Sequence, residues 1–125
     1  MSNTFCLAAL RTISIEQSAI ADLEHRIDDY FEQACQLLLN CRGRIVVTGM
    51  GKSGHIAGKL AATLASTGSP AFFVHPGEAS HGDLGMITPT DVVLALSYSG
   101  TTAEILTLLP LLQRQGIPLV AMTGD

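Results

Sequence analysis

The feature that most constrains this chain is the regular return of short, unbroken apolar runs at 44–48, 71–74, 91–96 and 117–122. Each is rich in Val, Ile, Leu, Ala or Phe and is not alternating, which suits strands buried on both faces. Between the first two runs, Ile56, Ala57, Leu60, Ala61, Leu64 and Ala65 have helical spacing, and Gly68 stands where that helix should close. A second helical pattern runs from about Thr102 to Gln115. Strand and helix alternate, so the expected fold is α/β, with a doubly wound parallel sheet in three layers, flavodoxin- or Rossmann-like.

Ahead of the first run, Ser14 and Gln17 make a capping box, and Ile20, Leu23, Ile27, Phe31, Ala34 and Leu38 recur every three or four residues. This predicts one long amphipathic helix over 14–42, leading into an α/β core over 44–125. At 125 residues the chain can form one domain but not two, and 47% hydrophobic against 14% charged residues can supply its core. A formal charge of -4 with no basic run argues against nucleic acid as a partner. No apolar stretch reaches the ~18 residues of a membrane span. Three unpaired cysteines, Cys6, Cys35 and Cys41, fit reduced thiols in a cytoplasmic protein better than a zinc knuckle.

In a parallel sheet, ligands gather at the carboxyl ends of the strands, where helix amino termini offer free N–H groups. Residues 49–54 fit G-x-G-x-x-G after a strand and before a helix. A dinucleotide site also needs an acidic residue closing the second strand, and that strand ends in Val74, His75 and Pro76. A Walker A loop needs glycine five positions before Gly51, where Val46 stands. After the third run, Ser97, Ser99, Thr101 and Thr102 crowd hydroxyls around Gly100 at a helix start. One of them could be a simple N-cap, but four suit an oxyanion held by backbone N–H groups and hydroxyls. The stretch 75–90 is long for a connection and rich in Gly, Pro and His, so it is expected to line the site, with a helical turn near Ser80.

These blocks carry a resemblance. VTGMGKSGH at 47–55, ASTGSPAFFVHP at 65–76, ASHGDLGM at 79–86 and SYSGTTAE at 97–104 are similar to SIS (sugar isomerase) domains, and within them to the D-arabinose 5-phosphate isomerases. The likeness implies interconversion of D-ribulose 5-phosphate and D-arabinose 5-phosphate, toward Kdo and bacterial lipopolysaccharide or capsule, with no cofactor. Aldose–ketose isomerisation moves a proton between adjacent carbons through an enediol, which needs an acid/base group and a positive charge near the oxyanion. The resemblance puts catalytic roles on Lys52 and Glu104, with Gly51 and Ser53 beside them as phosphate-binding candidates. Lys52 sits at a helix amino terminus, where a cation is disfavoured unless an anion visits. Glu104 could equally serve the dipole of its own helix.

The resemblance also implies substrate contacts at Gly68, Ser69, His75 and His81, and an inhibitory zinc on His75. Zinc normally takes three or four protein ligands, so a metal here would be weak or shared. His25 reads as a solvated helix residue, His55 as a support for the glycine loop, and Tyr98 as packing beside the phosphate. SIS domains form dimers and tetramers, so a homo-oligomer is expected, with the apolar stripe of the first helix available for it. The family's domain continues past a fourth strand, often with a CBS pair, so the chain is expected to be truncated, incomplete at its carboxyl end and of little activity alone. Two other classes stay open: a non-catalytic sugar-phosphate sensor and a nucleotide-binding Rossmann protein.

Overall fold

The computed structural model describes residues 3–79 and 82–124. Contacts divide the chain into two compact units, Met1–Cys35 and Gln36–Asp125.

The first unit is helical, but not as one rod. Helix α1 spans Thr4–Asp22 and passes into a 3-10 turn, Leu23–Arg26. Ile27 is extended, and the next helix, α2, spans Asp29–Leu39 and continues into the second unit. The expectation of a single helix starting at Ser14 is therefore corrected at two places. Residues 4–13 contain no glycine or proline and simply extend the helix upstream, so Ser14 lies inside it. The real capping residue is Asp28, whose Oδ1 accepts the N–H groups of Tyr30 at 3.0 Å and Phe31 at 3.1 Å. A carboxylate there satisfies two donors of the new first turn and fixes the break. No residue of α1 is buried, and Phe5, Leu10 and Ile20 are exposed.

The second unit is built on four parallel strands: β1 (Ile45–Gly49), β2 (Ala71–Phe73), β3 (Val92–Leu96) and β4 (Leu119–Met122). Their order is β2-β1-β3-β4. Helix α3 (Gly51–Ser66) follows β1, a single turn α4 (Pro76–Ala79) follows β2, and α5 (Ala103–Gln115) follows β3, continuing through Pro110. The doubly wound parallel fold expected from the apolar runs is the one observed. The helical turn expected in the long connection is α4, followed by a 3-10 turn at Asp83–Met86; Ser80 itself lies outside the described residues.

β1 and β3 are buried at every position, as their unbroken apolar character requires. Their side chains alternate between two cores. Val46 and Val93 meet Leu108 and Leu112 of α5 with Val74, Ala79 and Ile87 on one face. Ile45, Val47, Leu94 and Leu96 meet Ala57 and Ala61 of α3 on the other. Helices α3 and α5 thus cover opposite faces of the sheet, giving three layers.

The amino ends of the strands are locked by one carboxylate. Asp91, buried, accepts the N–H of Arg44 at 2.7 Å through Oδ1 and that of Thr88 at 2.8 Å through Oδ2. Arg44 in turn donates to the Met86 carbonyl at 2.9 Å and lies 4.3 Å over the Phe72 ring. Among the described residues, no helix is long and apolar enough to cross a membrane.

Candidate active site

The strand order reverses between β1 and β3, which winds the chain outward in both directions from that pair. Ligands of open α/β sheets bind at such a point, beyond the carboxyl ends of the strands. Gly49 pairs with Leu96 in register, so the glycine loop and the hydroxyl-rich loop leave the sheet side by side.

The glycine loop is short. Met50 is extended and α3 begins at once with Gly51, whose φ of +56° is open to glycine at little cost. No side chain caps α3, and the first backbone bond across the turn is Gly54 N–H to the Met50 carbonyl at 3.2 Å. Among the described residues, the N–H groups ahead of Gly54 have no partner across the turn. Lys52 is exposed on this first turn and Ser53 partly so. Gly54 is buried because the helix rests on the strand tip: a Cβ on Gly54 would lie 2.6 Å from the Gly49 carbonyl oxygen.

The loop at 97–102 is held by its own hydroxyls. Ser97 is buried; its Oγ lies 2.6 Å from Thr102 Oγ1 and accepts the Gly100 N–H at 3.1 Å. Ser99 Oγ accepts both the N–H and the hydroxyl of Thr101, at 3.1 and 3.2 Å. With both lone pairs used, Ser99 has its own proton left to give to an acceptor. Gly100 has φ +70°. The alternative that one of the four hydroxyls is an ordinary N-cap is not met. Thr102 holds the N-cap position of α5, but it makes no side-chain cap and bonds Ser97 instead. The first turn of α5 thus opens uncapped, with Glu104 exposed on it. Tyr98 is 79% exposed and packs at the end of β4, where a Cβ on Gly124 would come within 2.5 Å of its ring.

The end of β2 is tied to the same place. Val74 N–H donates to the Val47 carbonyl at 3.0 Å, and buried Thr48 donates its hydroxyl to the Val74 carbonyl at 2.6 Å. These bonds carry the chain past β2 so that exposed His75 borders β1's tip. A cleft of about 240 Å³ opens there, lined by Gly49, Gly51, Gly54, His55, Phe73 and His75.

The expected site residues thus fall into three groups. Gly51, Lys52, Ser53, His75, Ser97, Ser99, Thr101, Thr102 and Glu104 all lie on loops or helix starts at the carboxyl ends of β1, β2 and β3. Gly68 and Ser69 do not join them. They close α3 at the amino end of β2, with Ser69 N–H bonding the Leu64 carbonyl at 2.9 Å, and they line a separate cavity with Gly43 and Ile45. A strand's length separates them from the cleft within one chain, because a helix antiparallel to the sheet returns the chain to the sheet's other end. His81 lies outside the described residues. His25 is exposed on the 3-10 turn of the first unit, as expected.

His55 and Phe73 are the cleft residues that reading the sequence missed. Gly51, Gly54 and His55 stand at i, i+3 and i+4 on one helical face, a spacing that marks them as neighbours. His75 Nδ1 accepts the Gly77 N–H at 3.1 Å, which leaves the imidazole proton on Nε2, the nitrogen a metal would need. Among the described residues, no three His, Cys, Asp or Glu side chains group as metal ligands.

A profile of the SIS domain matches residues 38–125, most of the chain. The chain belongs to the SIS domain family. This SIS chain is 64% identical over 121 residues to the arabinose 5-phosphate isomerase KdsD of Pseudomonas aeruginosa, covering 97% of this chain and 37% of that protein. The KdsD of Yersinia pestis is 57% identical over 121 residues with the same coverage. The chain therefore spans little more than a third of the length of these relatives. Among solved structures, Escherichia coli CFT073 c3406 in complex with arabinose 5-phosphate superposes with a TM-score of 0.89 at 44% identity, covering 100% of this chain and 67% of that one.

Proposed function

We propose that this SIS chain binds a pentose phosphate across the tips of β1 and β3 and takes part in the isomerisation of D-ribulose 5-phosphate to D-arabinose 5-phosphate, toward Kdo and lipopolysaccharide. The observation that carries the proposal is the pairing of two uncapped helix starts, those of α3 and α5, on adjacent strands. Both present N–H groups and positive dipole ends, and together they suit a dianion. The likeness to KdsD proteins and to a structure holding arabinose 5-phosphate supports the choice of phosphosugar.

In this reading the phosphate rests on the 97–102 loop, with Ser99 donating its hydroxyl and Ser97, Thr101 and Thr102 holding the loop's shape. Gly51 and Ser53 offer N–H groups from α3. Glu104 moves the proton between C1 and C2, and the Lys52 ammonium stabilises the oxyanion of the enediol. His75 contacts the sugar. No cofactor is required, because the hydrogen removed from one carbon returns to the next. We further propose a homo-oligomer, supported by the apolar side chains that α1 exposes, and a cytoplasmic setting, supported by three free thiols.

Solvent exchange tests the chemistry more sensitively than net turnover. In D2O, ribulose 5-phosphate incubated with the purified chain should gain deuterium at C1, and Glu104→Gln should abolish that gain while retaining affinity. Binding with no exchange in the unaltered chain would favour a non-catalytic sugar-phosphate sensor, and no binding of either pentose phosphate would overturn the phosphosugar reading.

A further inference from the structure

The cleft beside β2 contains chemistry that phosphate binding does not use. It opens on the side of α3 where Gly51, Gly54 and His55 lie, next to the helix start that suits an anion. Two imidazoles line it, one from α3 and one from the end of β2. His75 has its Nδ1 fixed as an acceptor of the Gly77 N–H, so its Nε2 proton is a donor. His55 is exposed, and among the described residues neither of its ring nitrogens has a protein partner. A neutral imidazole carries one donor and one acceptor, the pair that a sugar hydroxyl needs. Phe73, 37% exposed, adds an apolar wall against which C–H groups can pack, and a Cβ on Gly54 would touch it at 3.7 Å. The volume of about 240 Å³ lies below the ~300–1,000 Å³ typical of drug-sized pockets and suits a small metabolite.

We infer that His55 is a specificity-determining residue that hydrogen-bonds the hydroxylated carbon chain of the phosphosugar, with His75 and Phe73 completing the same cleft. This rests on the phosphosugar reading of the β1 and β3 tips. The anion is then held by the helix starts, and the cleft distinguishes a polyhydroxylated ligand from phosphate alone. His55 touches ligand carbon substituents distant from the phosphate, so its loss should weaken sugar recognition and spare anion binding.

Imidazole NMR signals of the full chain, titrated with arabinose 5-phosphate and separately with inorganic phosphate, test this directly. The pentose phosphate should move the His55 and His75 signals; inorganic phosphate should move neither. His55→Ala should lower affinity for arabinose 5-phosphate about tenfold, as the loss of one or two hydrogen bonds would, and leave that for inorganic phosphate within about twofold. His55→Gln, which keeps a donor and an acceptor, should recover part of the loss. Unchanged pentose phosphate affinity in His55→Ala, or His55 signals that move equally with inorganic phosphate, would overturn the inference while leaving the phosphosugar reading intact. Absence of any pentose phosphate binding by the unaltered chain would instead remove the phosphosugar reading itself, and this inference with it.

Discussion

Ser99 and Asp91 show how one polar side chain can serve binding or stability according to where its partners lie. Ser99 is exposed, accepts two hydrogen bonds from Thr101 and has one proton left to donate. Ser99→Ala should therefore lower affinity for a pentose phosphate about tenfold, the loss of a charge-assisted hydrogen bond, with little change in melting temperature; calorimetric titration and thermal unfolding check the two halves. Asp91 is buried, and both of its oxygens are committed to backbone N–H groups. Burial acts to raise its pKa, but the hydrogen bonds from Arg44 and Thr88, with the nearby Arg44 charge, outweigh that and hold it below the ordinary carboxylate value. A folded-state pKa below the unfolded one means that the carboxylate stabilises the fold above about pH 4. That contribution is lost as pH falls through the folded value. Asp91→Asn keeps one acceptor and turns an N–H toward another, so it should cost about 1–3 kcal/mol near neutrality. Its denaturant midpoint should also fall less steeply below pH 4 than that of the unaltered chain.

At the scale of elements, contact between α3 and β1 decides whether the glycine loop can form. Gly54→Ala puts a methyl group 2.6 Å from the Gly49 carbonyl oxygen and must lift the helix off the strand tip. Gly58, one turn further along α3, has nothing within 4 Å of its Cβ position and no positive φ. Chemical denaturation should show Gly54→Ala destabilising by about 1–3 kcal/mol, as overpacking does, and Gly58→Ala stabilising by about 0.5–1 kcal/mol through helix propensity. All four strands and the two helices that cover them were legible, because buried strands have unbroken apolar runs and α3 and α5 have clear period. The break at Ile27 and Asp28 was not, because the apolar spacing of Ile20, Leu23, Ile27 and Phe31 carries straight across it. Periodicity reports which face is apolar, whereas a cap reports where the backbone turns, and Asp28 was the local signal for the second. The place of the 49–54 and 97–102 loops at strand-to-helix junctions was legible for a similar reason: hydroxyls and glycines there are local features. The place of His55 in the cleft was not, since it depends on Phe73 and His75 arriving from another strand. Gly68 and Ser69 lie at the amino end of β2, a placement that adjacency in sequence to β2 does not reveal.

For the molecule as a whole, the α/β unit keeps its stabilising lock and its candidate site at opposite ends of one sheet. Asp91, Arg44 and Thr88 secure the amino ends of β1 and β3, while the loops that suit an anion leave the carboxyl ends. Substitutions at the first end should alter unfolding and leave affinity of the folded protein unchanged. The Thr48 hydroxyl bond to Val74 is the link between β1's tip and the cleft wall, and it is buried. The central claim is that two neighbouring helix starts hold one anionic sugar. An amide NMR titration of the full chain with arabinose 5-phosphate tests it most directly. Backbone signals of residues 51–53 and 99–104 should shift together with one saturable dissociation constant, and those of the Asp91 lock should stay still. Shifts confined to one loop, shifts at the Gly68 end of the sheet, or no shifts at all would contradict it.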